Sequence, residues 1–430
     1  MKRNVAVSML VLAGFCFFGC SKKTAENSKS KVSYDVTAPI TITWWHALEK
    51  QYDQTIADVV DGFNKSQNLI TVKAEYIGNY AAVNEALVAA HAAGTGLPAV
   101  CVANTPYVAE YGAGGLTEDL TPYMKATKFD INDFGAGLVA AASYEDGQVS
   151  LPFLISTQVM YYNKDMADAL GVTIPAKFSD MEEFLKTVSK VSASGTDVWG
   201  TIIPGWDQWY FETFFLNNGV KIITDQNKTD LDSPASLATI KAMNKWITNK
   251  TAYFAVGKNA SSTMRQNFIE KKAFSVLHTS SLYNTYVQKC GFNVGMAWLP
   301  AADTKKQEIG GCVLLIPAKN DQATKNAAWQ FLQYLCSKDI NMKWARETGY
   351  IPTRKSVLNT DEGVAFLKDK PAFKCIFDNL DLIEPRIQNK AWSQLATIWK
   401  NSLAEMFIEQ TDIDSSVKTM ASEINEVLAD

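Results

Sequence analysis

Short apolar strands alternate with amphipathic helices over residues 39–103, and this alternation limits the possible folds more than any other feature. The strands are rich in β-branched and apolar residues, and the helices carry apolar residues on one face. The β-α-β-α-β order predicts a mostly parallel sheet with flanking helices, an α/β fold. Such sheets bind ligands beyond the carboxyl ends of their strands. The predicted strands are "PITITWW", "ITVKAEY" and "PAVCVA", and the predicted helices are the stretch from Leu48 to Phe63 and "AAVNEALVAAHAA".

The rest of the chain predicts a second domain. The 430 residues suffice for about two domains. "EDGQVSLPFLISTQVMYYNKDMADALG" (145–171) predicts two strands and a helix that cross between domains. Strands recur after residue 272, which suggests that the chain returns to its first domain and leaves it again, and the last hundred residues are almost entirely helical. A net charge of -4, without basic runs outside the N-terminus, argues against nucleic acid as a partner.

The N-terminus has the pattern of an export signal. Lys2 and Arg3 precede a short apolar stretch, and Gly19 and Cys20 close it, which predicts a lipoprotein signal peptide over 1–20 with Cys20 acylated. The polar segment 21–35 then predicts a flexible tether. A secreted protein with a chance cysteine is the alternative. The five later cysteines are widely spaced, so neither a disulfide framework nor a metal site is predicted.

Catalytic motifs are absent from the sequence. HExxH, GxSxG and P-loop patterns do not occur, and three histidines leave little room for imidazole catalysis. This favours binding over turnover, with no catalytic residue and no cofactor.

Aromatic and hydroxyl-rich stretches are the candidate binding elements. "GWDQWYFETFF" (205–215) would bring Trp206 and Trp209 to one helix face, where flat rings can stack on sugars and polyols or attract cationic groups. Core packing is the alternative. "LHTSSL" (277–282) offers Thr279 or Ser280 as a helix cap or as an anion ligand.

These residues together resemble a family, the extracellular solute-binding proteins of bacterial ABC importers. Within the family, the resemblance is to the branch that binds glycerol 3-phosphate. It extends from about Ile42 to past Tyr350. The segments that carry it are "WWHALE", "GNY", "STQVMYYNKD", "GWDQW", "FNVGM", "IGG" and "TGYIPTRK".

The resemblance implies a two-lobed periplasmic-binding-protein fold with crossover hinge strands and extra C-terminal helices. The expected N-terminal lobe is 36–148 plus 276–325, and the expected C-terminal lobe is 149–275 plus 326–430. The ligand would lie between the lobes. Hydroxyls and one backbone N–H would contact a phosphate, and the two tryptophans would line the glycerol side. The residues implied are Tyr80, Ser156, Trp206, Trp209, Thr279, Gly311 and Tyr350.

Two departures from the family pattern affect the expected ligand. The family's acidic residue aligns with Thr105, beside Asn104. The family's phosphate-contacting arginine aligns near Ala396, and Arg386 is the candidate replacement. An Arg386 side chain directed into the cleft beside Tyr350 and Thr279 would favour an anionic ligand, and one facing solvent would favour a neutral sugar.

The function implied is that of a monomeric, lipid-anchored receptor on the periplasmic face of a bacterial membrane. It would deliver glycerol 3-phosphate, or a glycerophosphodiester such as glycerophosphocholine, to an ABC permease. A neutral sugar or oligosaccharide is the alternative ligand. An anchored hydrolase and an adhesin are alternatives of other classes.

Overall fold

A computed structural model describes residues 34–192, 195–302, 304–379 and 382–429. The predicted signal peptide, with Cys20, and the tether up to residue 33 lie outside the described residues. In the described part of the chain, no helix has both the length and the apolar character needed to cross a bilayer.

The described residues form eleven strands and seventeen α-helices. The strands are β1 (Ile40–His46), β2 (Ile70–Tyr76), β3 (Val100–Ala103), β4 (Leu151–Asn163), β5 (Lys190–Ser192), β6 (Gly195–Pro204), β7 (Ala252–Ala255), β8 (Ala273–Thr279), β9 (Val294–Ala297), β10 (Gln307–Leu315) and β11 (Ile383–Glu384). The helices are α1 (Asp53–Ser66), α2 (Tyr80–Ala93), α3 (Tyr107–Ala113), α4 (Thr121–Thr127), α5 (Ala136–Ala141), α6 (Lys164–Leu170), α7 (Met181–Val188), α8 (Trp209–Asn217), α9 (Pro234–Thr248), α10 (Ala260–Ile269), α11 (Tyr283–Lys289), α12 (Gln322–Leu335), α13 (Lys338–Glu347), α14 (Asp361–Asp369), α15 (Lys374–Phe377), α16 (Trp392–Ala404) and α17 (Ile413–Ala429).

The two lobes have sheets of matching design. In the first lobe, β2, β1 and β3 are parallel, and β10 runs antiparallel between β3 and the first half of β4. In the second lobe, β7, β6 and β8 are parallel, and β8 is antiparallel to the second half of β4. The predicted β-α-β-α-β opening and the predicted two-lobed α/β fold are therefore confirmed.

Strand β4 passes through both sheets. It pairs with β10 up to Thr157 and with β8 from Gln158 onward. The prediction of two strands within 145–163 is wrong, because one strand of thirteen residues spans both lobes. Nearly all of it is buried, so the sequence shows no polar break where the partner strand changes.

The lobe boundaries can be compared with the sheet pairing. Strands β8 and β9 both pair with the second half of β4. Helix α12 packs against β1 and α1, which are first-lobe elements. The boundaries predicted from the sequence stay a prediction, and the pairing favours a division that moves β8 and β9 to the second lobe and α12 to the first.

Aromatic side chains fill the core of each lobe. In the first, Trp44 packs edge-on against Phe153 and Phe331, with ring centroids 6.1 and 5.6 Å apart. In the second, Trp399 of α16 packs against Phe211 and Phe215 of α8. The C-terminal helices therefore complete the second core.

Candidate functional site

A cavity of about 740 Å³ lies between the lobes. Its wall includes the segments that follow β1, β3, β6 and β8, two parallel strands from each lobe. The carboxyl ends of these strands therefore meet at one place, as the sequence predicted for an α/β sheet.

Aromatic rings form one wall of the cavity. Tyr210 lies between two tryptophans, with its ring centroid 5.6 Å from that of Trp206 and 5.0 Å from that of Trp209. The expected helix face with both tryptophans is wrong, because α8 begins at Trp209 and Trp206 lies in the preceding loop. Both rings nevertheless line the cavity. A wall of this kind suits the C–H faces of a polyol or sugar.

The backbone around Trp209 holds its ring in position. Its N–H donates to Asp207 Oδ1 at 3.0 Å, and its carbonyl accepts from Gln158 Nε2 at 2.8 Å. The ring lies against the backbone of Gly310, where an added Cβ would come within 2.2 Å of it. The absence of a side chain at Gly310 is therefore what lets the indole reach the cavity.

Hydroxyl groups form another part of the wall. Thr279 Oγ1 lies 2.9 Å from Ser281 Oγ, and the Tyr52 hydroxyl donates to the Ser281 carbonyl at 3.1 Å. Tyr80 and Tyr350 also line the cavity. Burial raises the pKa of Tyr52 to about 12 and raises the pKa values of the other two well above the ordinary value. All three phenols are therefore neutral near pH 7. Tyr52 donates its proton to the Ser281 carbonyl, and the Tyr80 and Tyr350 hydroxyls can donate hydrogen bonds to a ligand.

Nine of the eleven residues predicted to bind the ligand line this cavity. They are Tyr80, Asn104, Ser156, Trp206, Trp209, Thr279, Gly311, Tyr350 and Arg386. Thr105 and Ser280 are not among the lining residues. Both are almost fully buried, and Ser280 Oγ accepts a hydrogen bond from the Thr157 N–H at 3.2 Å. The role of these two residues in ligand binding stays a prediction.

Several lining residues were not predicted from the sequence. Asp207, Tyr210 and Ser281 belong to the motifs that carried the resemblance or adjoin its predicted residues, so the motifs themselves were a usable signal. Tyr52 and Trp392 carried no such signal, because each fits the apolar pattern of a helix and enters the cavity wall only through tertiary packing.

Arg386 lines the cavity with its charge compensated. Its Nη2 lies 3.0 Å from Glu212 Oε2, and both side chains are almost inaccessible to solvent. The Gln208 amide oxygen, in its better-bonded orientation, accepts from the same nitrogen at 3.1 Å. The guanidinium therefore does not face solvent, which was one of the two arrangements considered from the sequence. Neither arrangement included the carboxylate that pairs with it.

Two lobes that share strand β4, with a cavity of aromatic rings and neutral hydroxyls between them, define a binding protein that encloses a small polar ligand. Residues 58–374 match the family model described as "Bacterial extracellular solute-binding protein", and the chain belongs to this family. It is therefore an exported solute-binding protein of an ABC importer, as the resemblance implied.

The individual relatives share less than a quarter of their aligned residues with this chain. The chain is 24% identical over 373 residues to the sn-glycerol-3-phosphate-binding periplasmic protein UgpB of Yersinia pseudotuberculosis, covering 80% of this chain and 84% of the relative. UgpB of Mycobacterium tuberculosis in complex with glycerophosphocholine superposes with a TM-score of 0.81 at 20% identity, over 91% of this chain and 99% of that one. The GacH receptor of Streptomyces glaucescens, solved with acarbose, gives 0.80 at 19% identity, over 92% and 100%. These structures support the two-lobed fold.

Proposed function

We propose that the protein captures a glycerophosphodiester, or glycerol 3-phosphate itself, in the interlobe cavity. The observation that carries the proposal is that one cavity is lined both by indole rings and by the neutral hydroxyls of Thr279, Ser281 and Tyr350. Rings can stack on the glycerol carbons while the hydroxyls donate to phosphate oxygens. The names of the UgpB relatives add support from similarity.

The size of the cavity favours the diester over the monoester. A volume of about 740 Å³ falls within the range of sites that hold drug-sized ligands, about 300–1,000 Å³. Glycerol 3-phosphate has a three-carbon chain and one phosphate, and would leave much of this volume to water. A second alcohol esterified to the phosphate would occupy that space.

A neutral sugar or oligosaccharide is the second candidate. Its support is the Arg386–Glu212 ion pair, in which the carboxylate compensates the positive charge of Arg386. Asn104 also favours a neutral ligand. Its uncharged side chain lines the cavity, and it is the neighbour of Thr105, with which the family's acidic residue aligns.

Calorimetry on the purified protein separates the candidates. We expect heat of binding with glycerophosphocholine and glycerol 3-phosphate and none with maltose; the reverse pattern would establish the sugar. A Trp206→Ala variant should lose about tenfold or more in affinity, since stacking on an aromatic ring contributes over 1 kcal/mol. Trp298→Ala is the matched control, because Trp298 does not line the cavity. Absence of heat across a broad polyol and sugar panel would contradict both candidates.

We also propose that Cys20 carries the lipid and that the protein acts as a monomer beside its permease. The support is the signal pattern of residues 1–20 together with the exported family. A Cys20→Ala variant should move from the membrane to the soluble fraction, and light scattering should give the mass of one chain. An unchanged membrane fraction would refute the anchor. A cavity that the protein's own side chains leave unfilled speaks against an adhesin, and a turnover assay on glycosides and phosphodiesters would reveal a hydrolase.

A further inference from the structure

Three ionisable side chains form a buried charge cluster beside the cavity: Arg386, Glu212 and Glu308. Arg386 and Glu212 make the 3.0 Å ion pair, and their side chains are 2% and 0% exposed. Glu308 lies on β10 and is 2% exposed. One positive charge and two carboxyl groups are therefore removed from water together.

Neither oxygen of the Glu308 side chain nor Oε1 of Glu212 has a hydrogen-bond partner in the described residues. One guanidinium compensates only one buried carboxylate, and burial favours the protonated form of the other. Glu212 is the one paired with the guanidinium, and no cation lies in hydrogen-bonding contact with Glu308 in the described residues. Burial, followed by the negative charge of Glu212, raises the pKa of Glu308 well above its usual range. Burial also raises the pKa of Glu212, but the guanidinium of Arg386 opposes this shift. The ion pair therefore assigns the negative charge to Glu212 and leaves Glu308 neutral.

This assignment determines the charge that a ligand meets at Arg386. The guanidinium contributes to the cavity wall near Gln208 and Trp392. Glu212 does not line the cavity, but its charge cancels that of Arg386 at the distance of an ion pair. In a poorly hydrated site, an uncancelled guanidinium would strongly attract a second negative charge on the ligand.

We propose that Glu212 is a specificity-determining residue that makes the cavity select zwitterionic or uncharged polyol ligands over dianionic phosphate monoesters. The inference rests on the proposed function and defines its ligand class by charge. Glu212 acts through Arg386 and does not touch the ligand, so it is a positioning residue.

The readout is the dissociation constant of glycerol 3-phosphate divided by that of glycerophosphocholine, measured by calorimetry near pH 7. The first ligand is close to a dianion and the second is a zwitterion. In the wild-type protein we expect a ratio of about ten or more. In Glu212→Gln we expect the ratio to fall about tenfold or more, because the amide keeps the shape of the side chain and removes the carboxylate that pairs with Arg386.

Glu308→Gln is the matched control from the same cluster. Because Glu308 is neutral, its amide changes no charge, and we expect the ratio to stay within about twofold of the wild type. In the double variant Glu212→Gln with Arg386→Gln, the cluster is again without net charge. The ratio should return towards the wild-type value.

Thermal unfolding of each variant is recorded first, because a buried arginine without its partner can prevent folding. The wild-type ratio is a readout that needs no variant, and a wild-type preference for glycerol 3-phosphate would overturn the proposal. A folded Glu212→Gln protein with an unchanged ratio would overturn it as well, as would an equal shift in Glu308→Gln. If the proposed function itself is wrong, neither ligand will bind the wild-type protein, and the inference fails with it. That result differs from every outcome in which the ligands bind with an unexpected ratio.

Discussion

His278 supports the aromatic wall of the cavity as a neutral side chain. It is 2% exposed, its ring lies 5.5 Å from that of Tyr210, and its Nδ1 is 2.9 Å from the Tyr286 hydroxyl. Burial lowers its pKa to about 3, so imidazolium does not form here near pH 7. The folded pKa is below the unfolded value, so the unfolded chain binds more protons between the two values. The contribution of His278 to the free energy of unfolding is therefore complete above about pH 6.5 and is lost as the pH falls towards 3.

A His278→Gln variant should remove this dependence on pH. Glutamine keeps a polar group for Tyr286 but does not titrate. The difference in unfolding free energy between wild type and variant should shrink on going from pH 7 to pH 4, by on the order of 3 kcal/mol. Denaturant titrations at several pH values measure it. His91→Gln is the control, since His91 is partly exposed and should give a smaller change. Parallel curves for wild type and His278→Gln would contradict the assignment.

At the scale of elements, β10 and β4 determine where the lobes join and how the cavity wall is shaped. Gly311 has φ of +97°, a conformation that side chains rarely adopt, and an added Cβ would meet the Leu154 carbonyl oxygen at 1.9 Å. Gly310, beside it, leaves room for the Trp209 ring. Gly311 therefore allows β10 to lie close to β4, and Gly310 allows the Trp209 ring to pack against β10.

A Gly310→Ala variant should displace the Trp209 ring. We expect a loss of about 1–3 kcal/mol in unfolding free energy from overpacking, and weaker ligand binding because the stacking surface moves. Denaturant unfolding and calorimetry measure the two effects. Gly291→Ala is the matched control, because its added Cβ would meet no atom within 4 Å and its φ is not in the left-handed region. Equal stability and affinity in both variants would show that the Trp209 position does not depend on Gly310.

For the whole molecule, polar contacts between the lobes accompany the enclosed cavity. Glu110 of α3, in the first lobe, accepts from the Ser393 N–H at 2.7 Å and from its hydroxyl at 2.8 Å, at the start of α16. A carboxylate at a helix N-terminus satisfies free N–H groups and complements the helix dipole. On another side, Glu49 pairs with Arg265 at 3.3 Å. These contacts hold the two lobes together, and a hinge motion that separates the lobes would break them.

A Glu110→Ala variant should favour the open form. We expect a larger radius of gyration in solution scattering without ligand, and a severalfold weaker affinity, because closure must then proceed without this cap. Glu118→Ala is the control, since Glu118 pairs with Lys325 at 2.8 Å within the first lobe. The interpretation would be wrong if both variants scattered alike and bound ligand equally well.

Much of the fold could be predicted from sequence, and less of the site. The alternation over residues 39–103 and the apolar helices near the C-terminus follow local periodicity, and the structure has the corresponding strands and helices. Motif residues such as Trp206, Thr279 and Tyr350 line one cavity. The single strand β4 was missed, because a strand buried along its length gives no sign of a change of partner.

The sequence by itself determined the order of strands and helices and the kinds of side chain available for binding, since both depend on composition and on periods of a few residues. Only the tertiary structure decided which charges meet. Arg386 and Glu212 are 174 residues apart, and nothing local to either predicts their pairing. A buried ion pair forms where the closed fold excludes water from both groups, and that environment exists only once distant segments have packed together.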